Sequence, residues 1–326
     1  MTTAGLTDVT VWVLARGNDR RLDLLGKVPP GVTFVIGDRV QDFAGVPRPD
    51  SLLSWMTPRA LLEQVFEKAS GVRWVHSGYA GVDGLLFPAL VESPTPLTNA
   101  RGVFSVSLAE FAIGGLIYLV KDFRRLIRNQ QAGIWEQFDS EEVRGRTLGI
   151  VGYGDIGRAV AERARSFGMN ILALRRRPEA SQDDPRVDRA FPPEGLREMM
   201  AASDDVVVAA PLTPRTRHMV GRAEMAAMKS GGIFVNVGRG PVVDESALIE
   251  ALDGHRIRGA ALDVFETEPL PAGHPFYRLE NVLLSPHSAD HTPNWLDQSM
   301  ECFLDNLDRF RRGQELRNIV DKTGGY

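Results

Sequence analysis

A single cysteine, Cys302, among 326 residues excludes an intrachain disulfide framework and a cysteine-rich zinc site, and it fits a reducing compartment. It stands in the apolar run 300–304, where a buried packing role is expected. Long apolar stretches are also missing. The longest candidate, 111–120, is ten residues between Glu110 and Lys121, against the ~20 that a bilayer-spanning helix needs. No basic segment followed by a long apolar one opens the chain, so a cytoplasmic protein without a membrane partner is expected. An excess of one charge is absent as well: 38 Lys and Arg against 42 Asp and Glu leave a formal net charge of −4. Such a balance provides no basic field to draw nucleic acid. Repeats of solenoid period and low-complexity tracts are lacking too.

What is present is an alternation of short β-rich runs with helical patterns, in a chain long enough for two domains. Residues 8–15 and 32–36 read as strands, 59–70 as a helix and 73–76 as a third strand. A glycine-bearing turn, 77–83, follows that strand. It reads either as a simple βα turn or as a place where exposed backbone N–H groups hold a carboxylate. Residues 88–101 read as a crossing strand or loop, and 107–128 as one long helix, with Ser107 and Glu110 in the spacing of a capping box.

The stretch that organises the chain is 147–177, TLGIVGYGDIGRAVAERARSFGMNILALRRR. A strand over 147–151 breaks into Gly152, Tyr153, Gly154, Asp155, Ile156 and Gly157, a helical pattern runs to 167, and a second strand occupies 170–174. Three glycines at this spacing do separate work: a tight turn, a close approach of backbone to a pyrophosphate, and packing of helix on strand. The helix N-terminus then faces the phosphates. Strands at 205–210, 232–237, 259–264 and 281–284, with helices at 194–202, 222–228 and 244–252, extend this into a six-stranded, doubly wound dinucleotide-binding fold. A final helix, 292–312, has the length to return to the first hundred residues and complete a smaller wound domain. The expected division is 1–101 with 291–326 for the substrate domain and 102–290 for the dinucleotide-binding domain.

Three strand ends in the second half deliver residues of catalytic type: Arg239 after 232–237, Glu266 and Glu268 after 259–264 and His287 after 281–284. The planar fork of an arginine can hold a carboxylate and the adjacent carbonyl oxygen together, which a lysine cannot. A histidine titrates in the range needed to protonate a carbonyl oxygen that receives a hydride, and a glutamate beside it favours the protonated ring. His291, four residues beyond His287, lacks the Glu or Cys partners of a metal site and reads as a rim or helix-cap residue; no metal is expected. His76, His218, His255 and His274 read as structural or exposed.

The motifs GYGDIG (152–157), PLTPRTRH (211–218), NVGRG (236–240), ALDVFETEPLP (261–271) and SPH (285–287) stand in an order that resembles the D-isomer-specific 2-hydroxyacid dehydrogenase family. The resemblance covers the chain from about residue 78 onward. It implies an α/β architecture of two doubly wound domains, a Rossmann dinucleotide-binding domain inserted into a smaller flavodoxin-like substrate domain. It implies Arg239, Glu268 and His287 as catalytic residues and Tyr79, Ala80 and Gly81 as backbone contacts to a substrate carboxylate. For the cofactor it implies Gly152, Gly154, Asp155, Ile156, Gly157, Pro211, Thr216 and Val237, with Asp263 near the nicotinamide carboxamide. A small 2-oxo acid such as glyoxylate or hydroxypyruvate, and a homodimer, are further implications. The apolar pattern 111–120 is compatible with a subunit contact or with core.

One departure concerns the dinucleotide. An acidic residue at the end of the second strand binds the ribose 2′-hydroxyl of NAD. Here Arg175, eighteen residues beyond Gly157, opens a run with Arg176 and Arg177, cations suited to a 2′-phosphate. NADPH is therefore expected over NADH, with Arg175 and Arg176 as its ligands. Two alternatives stay open on the sequence: oxidation of another small anion, phosphite or formate, although formate-type relatives carry glutamine where Glu268 stands; and a dinucleotide-sensing scaffold without turnover.

Overall fold

Runs rich in Val, Ile and Leu become parallel strands in the computed structural model, which describes residues 8–181 and 183–326. The chain divides into two units, Met1–Val103 with Pro293–Tyr326, and Phe104–Thr292.

In the first unit β1 (Val9–Leu14), β2 (Val32–Gly37), β3 (Ser51–Ser54), β4 (Trp74–Ser77) and β5 (Leu97–Asn99) form a sheet of order β2-β1-β3-β4-β5. All its pairings are parallel, and the order is that of flavodoxin-like sheets. The helix Arg59–Lys68 buries Leu62 and Val65. The last helix, Trp295–Arg311, joins this unit and buries Met300, Phe303 and Leu307 in one cluster with Val9, Val11, Trp55 and Trp74. The Phe303 ring stacks on Trp74 with centroids 5.5 Å apart. The return from the far end of the chain is thus a packing requirement of the sheet, whose face would otherwise lie open to water.

The second unit carries β6 (Thr147–Val151), β7 (Asn170–Leu174), β8 (Arg189–Phe191), β9 (Asp205–Val208), β10 (Ile233–Asn236), β11 (Gly259–Leu262) and β12 (Val282–Leu284), ordered β12-β11-β10-β9-β6-β7-β8. The pairings are parallel throughout. Strands β9, β10 and β11 are buried at every residue, as expected of a sheet covered on both faces. The strand order reverses between β6 and β9, where ligands of such sheets bind.

Four elements differ from the sequence expectation. The unit-two sheet has seven strands, because the three-residue edge strand β8 is too short to show a period. Strand β3, SLLS, was likewise unmarked: it is fully buried with serines at both ends and no β-branched residue. Pro88–Glu92 is a short helix with Pro at its first turn, leaving only Leu97–Asn99 as strand. The single helix expected over 107–128 is two, Ser105–Val120 and Phe123–Ala132. Asp122 breaks it by taking φ 49° and accepting a bond from the Arg125 amide, so it caps the second helix.

The Ser107 and Glu110 capping box is not formed. Helix Ser105–Val120 starts earlier, and Ser107 Oγ instead donates to the Ala289 carbonyl. The apolar pattern 111–120 is core: Ala112, Ile113, Gly115, Leu116 and Val120 are buried, and a Cβ on Gly115 would lie 2.6 Å from Ala261 Cβ. Cys302 is half-buried, its thiol against the Asn99 carbonyl. Among the described residues no helix is long and apolar enough to cross a membrane.

Candidate active site

The glycine turn after β6 shows why each glycine is there. Gly152 holds φ 95°, and a Cβ on it would lie 2.6 Å from the N and Cα of Ala210, so the turn abuts the chain leaving β9. A Cβ on Gly157 would lie 2.4 Å from the Gly152 carbonyl oxygen, which fixes the close approach of helix Asp155–Ser166 to its own strand. Gly154 is different: nothing lies within 4 Å of the Cβ it lacks. Its backbone borders open space at the N-terminus of a twelve-residue helix that begins with Asp155 and Ile156. The turn therefore fits a pyrophosphate, with a positive helix end facing it.

At the end of β7, Arg175 is half-buried while Arg176 and Arg177 are exposed. The Arg175 guanidinium donates to Ser181 Oγ at 2.8 Å and to the Ala180 carbonyl at 3.2 Å. Burial first, then the neighbouring Arg158 and Arg177, push it below the ordinary arginine value. Glu179 lies close enough to act on Arg175, and Asp184 is engaged by Arg186 at 2.7 and 2.9 Å and by the Tyr153 hydroxyl at 3.1 Å. These bonds hold the Asp184 pKa down to about 2.

Strands β10, β11 and β12 end side by side and bring Arg239, Glu268 and His287 to one edge of this unit. The loop after β10 is braced by Asn236: its Oδ1 accepts from Gly238 N at 3.1 Å and its Nδ2 donates to the Arg239 carbonyl at 3.2 Å. Arg239 Nη1 donates to the Gly238 carbonyl at 2.9 Å. A Cβ on Gly240 would lie 1.9 Å from the carbonyl carbon and oxygen of Phe265, so this loop rests directly on the backbone that leads to Glu268.

Glu268 spans two bonds. Its Oε1 accepts from Phe265 N at 2.9 Å and its Oε2 pairs with His287 Nδ1 at 2.6 Å. The bond to Glu268 raises the His287 pKa above its ordinary 6.5, against partial burial and Arg239. Partial burial lifts Glu268, but the bonds from His287 and Phe265 N outweigh it and hold the carboxyl below its ordinary 4.5. The pairing favours the protonated ring, with Nδ1 on the carboxylate and Nε2 on the side away from it.

Asp263, buried at the end of β11, organises the turn bearing His287. Its Oδ1 accepts from Ser285 Oγ at 2.6 Å, Ser288 N at 2.9 Å and Ala289 N at 3.0 Å. Its carbonyl accepts from His287 N at 2.9 Å, and His287 itself takes φ 50°. Thr216 shapes a turn, bonding the Pro211 carbonyl and both Thr213 N and Thr213 Oγ1. Val237 is buried and extends β10 through a bond from its amide to the Val208 carbonyl.

Tyr79, Ala80 and Gly81 belong to the first unit, directly after β4. The Tyr79 carbonyl accepts from Ala100 N at 3.1 Å and the Ala80 carbonyl from Asn99 Nδ2 at 2.6 Å, while the Tyr79 amide, expected to face a carboxylate, donates to Ser77 Oγ at 3.2 Å. Of the remaining histidines, His76 is fully buried with Nδ1 on Thr98 Oγ1, and burial takes its pKa down to about 3. His291 is exposed beside Asp290 and is not the cap of the last helix, a position held by Asn294. Among the described residues no group of His, Cys, Asp and Glu is arranged to hold a metal. Asn236 and Ser285 were not foreseen as site residues, although both stand inside the motifs that flagged Arg239 and His287.

Comparison with known proteins follows the same lines. The family model described as "D-isomer specific 2-hydroxyacid dehydrogenase, NAD binding domain" matches residues 113–289. A glyoxylate reductase of Korarchaeum cryptofilum is 36% identical, over 92% of this chain and 90% of its own. A D-isomer-specific 2-hydroxyacid dehydrogenase of Xanthobacter autotrophicus, solved with NADPH and MES, superposes with a TM-score of 0.81 at 30% identity, covering 99% of this chain and 100% of that one. An NADPH-dependent glyoxylate/hydroxypyruvate reductase of Sinorhizobium meliloti, solved with NADP and sulfate, gives a TM-score of 0.84 at 25% identity, covering 98% and 100%.

Proposed function

Since the chain belongs to the D-isomer-specific 2-hydroxyacid dehydrogenase family, we propose that it reduces a small 2-oxo acid, glyoxylate or hydroxypyruvate, to the D-2-hydroxy acid with NADPH. The observation that carries this reading is the 2.6 Å bond between Glu268 Oε2 and His287 Nδ1, formed at the same sheet edge as Arg239. Bound NADPH would supply the hydride to the carbonyl carbon. The Arg239 fork would bind the substrate carboxylate and the carbonyl oxygen, on which negative charge builds. His287 would give its Nε2 proton to that oxygen, and Glu268 would keep the ring charged and oriented until it does. Residues 79–81 would offer backbone contacts to a carboxylate. Gly152, Gly154, Asp155, Ile156 and Gly157 would hold the pyrophosphate, and Pro211, Thr216, Val237 and Asp263 would border the rest of the cofactor.

The test is a panel of 2-oxo acids with each reduced dinucleotide, followed by loss of nicotinamide absorbance. Turnover of glyoxylate or hydroxypyruvate is expected, and failure on every acid of the panel would overturn the substrate reading.

The cofactor preference rests on Arg175 and its neighbours Arg176 and Arg177 at the end of β7. Two structural relatives were solved with NADPH or NADP. NADPH is expected to exceed NADH in kcat/KM, and Arg175→Ala to raise KM for NADPH by about tenfold, the scale of one charge-assisted contact, with KM for NADH little changed. Equal efficiency with the two cofactors, or NADH the better, would refute the preference.

A homodimer is part of this proposal. Phe123, Leu126, Ile127, Ile134 and Trp135 are exposed in and just after the helix Phe123–Ala132, Trp135 by 94%. The arm that carries them is stiffened by Arg125 and Asn129 on Glu136. Phe123, Leu126 and Ile127 stand at i, i+3 and i+4 of one helix face, and an exposed apolar stripe of this kind suits a subunit contact. Sedimentation should give twice the chain mass for the natural protein and a monomer for Trp135→Glu; a monomeric natural protein would contradict it.

A further inference from the structure

Outside the reacting residues stands another pair of carboxylate and imidazole, Glu245 and His274. Glu245, the first residue of the helix Glu245–Asp253, is largely buried, with its side chain 16% exposed. Its Oε2 accepts from Glu266 N at 3.0 Å, and its Oε1 lies 3.1 Å from His274 Nε2. The tautomer of His274 follows from its other nitrogen. His274 Nδ1 accepts from the Phe276 amide at 3.4 Å, and an amide only donates, so the ring proton is on Nε2 and points at Glu245.

The position of Glu266 gives this pair its meaning. Consecutive amides, Phe265 N and Glu266 N, are taken by Glu268 Oε1 and by Glu245 Oε2. The same stretch of backbone carries the Gly240 loop on Phe265, and the Glu266 carboxylate is held by His218 Nε2 at 2.8 Å. His218 is in turn bonded through its own amide to the Pro241 carbonyl. The peptide between Phe265 and Glu266 is therefore where the loop of Arg239 and the carboxylate of Glu268 are set relative to each other.

We propose that Glu245, oriented by His274, is a positioning residue for the reaction: by clamping the Glu266 amide it holds the Phe265–Glu266 peptide so that Glu268 meets His287 while Arg239 stays in register. The inference rests on the functional reading above. Freed of the clamp, the peptide can rotate about the Phe265 Cα, whose own amide on the other side is the anchor of Glu268 Oε1, and that anchor loosens. Displacement of a catalytic group by an ångström costs up to about a hundredfold in rate.

The experiment uses the full-length protein and reads two things: kcat for 2-oxo acid reduction, and the titration of the His287 ring by NMR of ¹⁵N-histidine-labelled protein, its signal assigned with His287→Gln. The charged groups facing His287 are Glu268, Arg239, Asp263 and Asp290, and none of them is altered. Glu245→Ala is expected to lower kcat about ten- to a hundredfold and to move the His287 midpoint down, with Kd for NADPH unchanged. Glu245→Gln, which keeps an oxygen for the Glu266 amide, should recover most of both. If Glu245→Ala does not fold, His274→Gln carries the same readouts. An unmoved His287 midpoint, or a loss of kcat matched by an equal loss of NADPH affinity, would overturn the positioning role. Absence of turnover in the natural protein would instead refute the functional reading, and the titration would still report on Glu245.

Discussion

A His287→Gln variant is expected to lose about a hundred- to ten-thousandfold in kcat for 2-oxo acid reduction, the usual worth of general acid assistance, while Kd for NADPH stays as it was. Glutamine retains a hydrogen-bonding group near Glu268 but has no proton to transfer at neutral pH. The pH profile supplies the complementary check. Reduction consumes the protonated ring, and the bond to Glu268 raises that pKa above 6.5. Thus kcat/KM should be flat below the raised value and fall as pH climbs through it. Assayed in the oxidative direction, the neutral ring is the reactive form and the rate should rise through the same pH. Glu268→Gln removes the largest cause of the shift, so the alkaline limb should move to lower pH. A profile that ignores Glu268→Gln would show that His287 is not the titrating acid.

Arg239→Lys is expected to lower kcat/KM by on the order of a hundredfold or more, the scale seen when a single donor to a developing oxyanion is removed. The charge is conserved in this exchange, so the loss isolates geometry: a point ammonium cannot span carboxylate and carbonyl oxygen as a planar fork does. It should appear in both kcat and KM, because the carboxylate is held in the ground state and the oxyanion only as hydride arrives. Steady-state kinetics on glyoxylate and hydroxypyruvate will decide. Near-natural kcat/KM in Arg239→Lys would remove Arg239 from the proposed mechanism.

The elements differ in how well they could be read in advance. Strands β6, β7, β9, β10 and β11 are continuous apolar runs because a parallel sheet is covered on both faces, and that burial is written into composition. Strands β3 and β8 were not legible for the same reason reversed. A serine-bounded run of four and an edge strand of three owe their conformation to neighbours in the sheet. The helix break at Asp122 was hidden too, since Asp at a left-handed position and Asp in a solvated helix look alike in a sequence. Glu268 and His287 were visible as residue types at strand ends, whereas their bond, and the clamp of Glu245 on Glu266, join positions 19 and 21 apart in the chain.

The glycine turn at 152, 154 and 157, the positive charge of the run from 175 and the chain order of the strand ends were determined by sequence alone, because turn geometry, charge and strand burial are local demands on residue type. Which carboxylate meets which imidazole, which backbone amide each one holds, and that Asp263 pins the His287 turn were decided only by tertiary structure. Hydrogen bonds between loops depend on where parallel strands end side by side, and that register comes from packing the whole sheet.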